Sequence, residues 1–101
     1  MTPPPDADVA PSTAIHRTVV IENERGLHAR AAAKFVETAG AYEAEISVRK
    51  GTTVVSGLSI MGLMMLAAGP GCALELIVRG RQARAAADAL ARLVAARFEE
   101  D

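Results

Sequence analysis

Ala44-Glu45-Ile46-Ser47-Val48-Arg49, then Lys50-Gly51, then Thr52-Thr53-Val54-Val55-Ser56 form one unbroken stretch whose reading decides the fold. The first six residues alternate strictly, Lys50-Gly51 reads as a two-residue turn, and the last five are rich in β-branched residues. The stretch therefore predicts a β-hairpin. Upstream, Ala32, Phe35, Val36 and Ala39 recur at helical spacing between Ala29 and Ala39, with Gly40 as a stop. Before that helix, His16 to Glu22 is a short β-branched run that ends in the polar turn Asn23-Glu24-Arg25-Gly26. Downstream, Ser59 can cap a short helix running to about Ala67, closed by Gly69-Pro70-Gly71. Ala73 to Arg79 alternates with Leu74, Leu76 and Val78 on one face. Ala83, Ala86, Ala87, Leu90, Leu93 and Val94 mark a last helix ending near Phe98. The order is βαββαβα. One face of an antiparallel sheet would carry the helices while Glu45, Ser47, Arg49, Glu75 and Arg79 face water, giving a two-layer α+β sandwich.

The chain has 101 residues, half of them apolar, which predicts one domain with a real core and excludes a two-domain arrangement. Residues 1–14, with four of the five prolines, read as a disordered tail ahead of a domain spanning 15–101. That tail lacks the basic start and apolar run of a secretory signal, and no stretch is long and apolar enough to span a membrane. The lone Cys72 rules out an intrachain disulfide or a thiolate zinc cage and fits a reducing, cytoplasmic setting. A net charge of -1 and three aromatic residues leave neither a positive field nor a stacking surface for nucleic acid.

Reactive residue types converge once, at Gly26-Leu27-His28-Ala29-Arg30, where the loop after the first strand enters the first helix. There the backbone N–H groups of Ala29, Arg30 and Ala31 point past His28 with the positive end of the helix dipole behind them. A phosphoryl group on the imidazole would meet those groups and the Arg30 guanidinium. Positive surroundings would keep the ring neutral, and the alanines at 29, 31, 32 and 33 would leave it open to a partner. The plainer alternative is a helix-capping histidine beside a solvated arginine. No paired carboxylates, metal-ligand cluster or Ser-His-Asp set accompanies His28, so an autonomous catalyst is not expected, nor a metal or cofactor.

The second informative segment, Leu58 to Leu66, is apolar all round and cannot be covered on every side in so small a chain. Leu63, Leu66 and Ala67 form one arc, expected to face the sheet. Ile60, Met61, Met64 and Met65 form the other, expected to dock partners unless the tail or a second copy covers it. Phosphorylation of Ser59 would add negative charge beside that patch while suiting the helix N-terminus.

Gly26-Leu27-His28-Ala29-Arg30 and Ser59-Ile60-Met61-Gly62, within βαββαβα order, resemble HPr, the histidine phosphocarrier family of the phosphoenolpyruvate-dependent phosphotransferase system. The resemblance covers residues 16 to 98, with Ala31 where many members have proline and Leu58 where a lysine is frequent. It implies an open-faced β-sandwich, a four-stranded antiparallel sheet with three helices on one side. It further implies that His28 takes a phosphoryl group on Nδ1 from phosphorylated enzyme I and passes it to an A-type permease component or a regulatory counterpart. Arg30 would stabilise the phosphate, Ser59 would be the target of a serine kinase, and Ile60, Met61 and Met64 would lie on the docking helix. The expected protein is a cytoplasmic monomer. The alternatives are a regulatory interaction protein of the same fold, acting through Ser59 and the apolar patch, and an unrelated small ligand- or RNA-binding module.

Overall fold

Alternation along Glu45–Lys50 sends Ile46 and Val48 to one face and Ser47 and Arg49 to the other, and the computed structural model, which describes residues 13–100, pairs this strand at the centre of a four-stranded sheet. In chain order the strands are β1 (Ile15–Val20), β2 (Glu45–Lys50), β3 (Thr53–Ser56) and β4 (Ala73–Arg79). Their spatial order is β1-β4-β2-β3. Every pairing is antiparallel. β4 lies between β1 and β2, with Ile15 opposite Val78 on one side and Ile46 opposite Val78 on the other. The hairpin is present with a shifted turn. Lys50 pairs with Thr53, so the turn residues are Gly51-Thr52, not Lys50-Gly51. Gly51 has φ +61, the glycine conformation that a II′ hairpin needs at its first turn position. The first strand stops at Val20, short of the expected Glu22, yet Ile21 is fully buried and tied through its N–H to the Cys72 carbonyl and through its own carbonyl to Gly71 N–H.

The inner sheet face (Val19, Ile46, Val48, Leu74, Leu76 and Val78) is covered by three helices: α1 (Ala29–Ala39), α2 (Ile60–Met65) and α3 (Ala83–Ala95). α3 packs on β1 and β4, α2 packs on β3, and α1 touches both other helices. Small residues make this closeness possible: Ala31, Ala32, Ala83, Ala86 and Ala87 are all buried, beside the larger Phe35, Leu63, Leu90 and Val94. The tail expected over 1–14 lies, apart from Thr13 and Ala14, outside the described residues.

Two helix ends differ from expectation. α2 stops at Met65 and Ala67 is exposed with φ +50, so Leu63 and Leu66 alone form its buried arc. α3 stops at Ala95. Arg97, Phe98 and Glu99 then all take positive φ (56, 54 and 63), a left-handed turn of three non-glycine residues. That conformation costs about 1–2 kcal/mol per residue. Full burial of the Phe98 side chain and two hydrogen bonds from Lys34 Nζ, to the Phe98 carbonyl at 3.0 Å and to Glu99 Oε1 at 3.1 Å, hold it in place.

Candidate functional site

Gly26 delivers the chain into α1. Its φ is +66, and a Cβ there would sit 2.4 Å from the Ala68 carbonyl oxygen, so the close pass of this loop against residues 68–69 requires glycine. Leu27 pins the same crossing, donating its N–H to the Ala68 carbonyl at 2.8 Å while its side chain is buried.

His28 is itself the cap of α1. Its backbone is extended, its carbonyl accepts the Ala32 N–H at 2.8 Å, and its Nδ1 accepts the Arg30 N–H at 3.3 Å. A nitrogen that accepts carries no proton, so the Nδ1 lone pair points along the first turn of the helix. The other ring nitrogen, Nε2, lies 2.5 Å from Glu100 Oε2. An ionised carboxylate can only accept, and the ring therefore holds its proton on Nε2.

Of the three expected phosphate-facing N–H groups, that of Arg30 is occupied by the ring. Ala29 and Arg30 are exposed, whereas the Ala31 side chain is buried in the core. Two expectations are corrected. The surroundings of His28 are not uniformly positive, because a carboxylate stands on Nε2. Nor is the ring left open by its alanine neighbours: its side chain is 19% exposed, covered in part from the far end of the chain.

Glu100 arrives on the left-handed turn after α3. Burial alone would raise its carboxyl. Hydrogen bonds from Asn23 and His28, with the charge of Arg25, outweigh that and hold it below the ordinary glutamate value. Glu24, Arg25, Arg30, Glu99 and Glu100 together line a depression of about 370 Å³, with Arg30 and Glu100 contributed by the two groups that contact the imidazole. Sequence reasoning missed Asn23, Arg25 and Glu100. The turn Asn23-Glu24-Arg25 reads as ordinary punctuation, and two glutamates after a helix read as a solvated end. Among the described residues no group of three His, Cys, Asp or Glu converges as a metal site would require.

The second set lies on α2. Ser59 Oγ accepts the Gly62 N–H at 2.9 Å and caps the helix as expected, and Lys50 Nζ donates to the Leu66 carbonyl at 2.9 Å at its other end. Leu63 is fully buried, while Met61 and Met65 are 70% and 76% exposed and Ile60, Met64 and Leu58 are exposed beside them. The division into inner and outer arcs follows the periodicity except at Ala67, which is exposed. No described helix is long and apolar enough to cross a membrane.

A profile of the PTS-HPr family, described as the PTS HPr component phosphorylation site, matches residues 15–96. The chain is 49% identical over 83 residues to the phosphocarrier protein HPr of Pseudomonas aeruginosa, covering 81% of this chain and 92% of that one. It is 43% identical over 88 residues to the phosphocarrier protein NPr of Shewanella violacea, covering 87% and 97%. The crystal structure of HPr-C-His from Thermoanaerobacter tengcongensis superimposes with a TM-score of 0.82 at 38% identity, covering 86% of this chain and 98% of that one. With the capped histidine, the sheet order and these relatives in agreement, the chain belongs to the HPr family of phosphocarrier proteins of the phosphotransferase system.

Proposed function

We propose that this chain carries a phosphoryl group on Nδ1 of His28, taking it from phosphorylated enzyme I and giving it to an A-type permease component or a nitrogen-branch regulatory counterpart. It does so in the cytoplasm and as a monomer. The single observation that carries the proposal is the pair of contacts on the His28 ring, Nδ1 accepting the Arg30 N–H at the first turn of α1 while Nε2 meets Glu100. In the transfer, the Nδ1 lone pair attacks phosphorus in line. A new N–P bond forms as the donor's bond to phosphorus breaks, and that electron pair returns to the enzyme I group that held the phosphoryl. The Nε2 proton stays where it is. Phosphoryl transfer needs positioning and charge stabilisation above all, and the N-terminal N–H groups of α1 with the Arg30 guanidinium supply both. So few groups hold the phosphate loosely enough for an acceptor to take it. Incubation with enzyme I and phosphoenolpyruvate should give one acid-labile, base-stable phosphate with a nitrogen-linked phosphorus resonance. Its persistence in His28→Ala would defeat the proposal.

The outer arc of α2 supports a regulatory role on the same fold. Ile60, Met61, Met64 and Met65 would dock partners, and a serine kinase or phosphorylase acting on Ser59 would place or remove charge at that arc. Binding of the A-type component should weaken in Ser59→Asp; equal affinity for wild type and variant would count against this role.

A further inference from the structure

Asn23 is 2% exposed, and the phosphocarrier reading makes no use of it. Its Nδ2 donates twice, to the Gly26 carbonyl at 2.7 Å and to Glu100 Oε1 at 3.0 Å, while its Oδ1 is buried without a partner. Both partners are acceptors, so the amide can face them only with its nitrogen. An aliphatic side chain would avoid the stranded oxygen, so retaining an amide here calls for a role that its N–H groups perform. One of them steadies the loop at Gly26. The other grips the carboxylate whose second oxygen meets His28 Nε2.

The three side chains form a relay from a buried anchor to the reactive ring. Asn23 fixes one oxygen of Glu100, Glu100 presents the other to Nε2, and Nε2 must then hold the proton. Arg30 N–H, which can only donate, selects the same tautomer from the opposite side of the ring. The other charges around Glu100 are Glu24, Arg25, Arg30 and Glu99, which line its depression, and Lys34, which binds Glu99. None of these hydrogen-bonds the Glu100 carboxylate, so among the described residues the Asn23 amide and the His28 ring hold it.

We propose that Asn23 is a positioning residue that acts through Glu100 to keep the proton on Nε2 of His28 and the lone pair on Nδ1. Its functional value rests on the phosphocarrier reading, because a relay of this kind presents Nδ1 ready to attack phosphorus.

The test is two-bond ¹H–¹⁵N correlation NMR of the imidazole rings in the unphosphorylated full chain at neutral pH, with His28→Ala separating the His28 signals from those of His16. Wild type should show Nε2 as the pyrrole-type nitrogen and Nδ1 as the pyridine-type one. Asn23→Ala and Glu100→Gln should each raise the population protonated on Nδ1 about tenfold, the effect of weakening one charge-assisted hydrogen bond. The double variant should show no more than Glu100→Gln alone. If Asn23→Ala lowers thermal stability and leaves both ring nitrogens unchanged, Asn23 only braces the loop and the proposal falls. If Asn23→Ala fails to fold, Glu100→Gln decides, and an unaltered ring there overturns the relay. No phosphoryl donor is needed, so a chain that takes no phosphate from enzyme I would end the phosphocarrier reading and leave this result readable.

Discussion

At the scale of single residues, the site depends on atoms that are hard to replace. A methyl group on Gly26 would collide with the Ala68 carbonyl in a backbone conformation that alanine disfavours, so Gly26→Ala should destabilise the protein by about 2–4 kcal/mol in denaturant unfolding. Arg30 is exposed and lines the depression it shares with Glu100. Arg30→Ala should therefore leave the melting temperature unchanged and slow phosphoryl uptake from enzyme I by about 10- to 100-fold, measured by quenched-flow labelling. For Glu100 the folded carboxyl titrates below its unfolded value of 4.5. Its contribution to stability is thus complete above that pH and is lost as pH falls through the lower, folded value. Glu100→Gln should flatten the fall in stability across that acid window, as read by urea unfolding at successive pH values. The histidine and arginine were legible in the sequence because a polar pair at a strand-to-helix junction is conspicuous. Glu100 was not: it lies 72 positions from His28, and no periodicity links them.

At the scale of elements, α2 is too short to be stable on its own account and is held at both ends by side chains. Removing its cap in Ser59→Ala should cost about 1 kcal/mol in thermal unfolding, whereas Ser59→Asp keeps an acceptor at the same position and should be close to wild type. Its inner and outer arcs could be read from spacing, because a 3.6-residue period fixes which side chains share a face. Its end could not. The Lys50 ammonium that donates to the last carbonyls comes from a neighbouring strand, and the reversal at Ala67 follows from the path the chain must take to β4. The hairpin turn differs by one residue for a similar reason: Lys50-Gly51 and Gly51-Thr52 are equally plausible turns until pairing with β4 sets the register.

At the scale of the whole molecule, the loop from Asn23 to His28 and the turn after α3 meet at the imidazole. Phe98 is the peg that fastens this meeting. Phe98→Ala should destabilise by about 3–5 kcal/mol and, by freeing the turn that carries Glu100, should also disturb the His28 ring signals in NMR spectra. Two further carboxyls tie distant elements together: Glu75 on β4, lowered mainly by its hydrogen bond from His16 on β1, and Asp88 on α3, lowered mainly by its hydrogen bond from Arg17. By the same sign as Glu100, both stabilise above their unfolded values of 4.5 and 3.8 and cease to do so in acid. The sequence by itself determined the βαββαβα order, the inward-facing residues of β2 and β4 and most of those of the helices, and the histidine at the mouth of α1, because these follow from side-chain alternation and local backbone chemistry. Only the tertiary structure decided that a glutamate from the far end of the described chain, itself held by a buried asparagine, contacts that histidine. Contacts between remote residues form when burial of groups such as Phe98 offsets an unfavourable local conformation, and no local pattern records that balance.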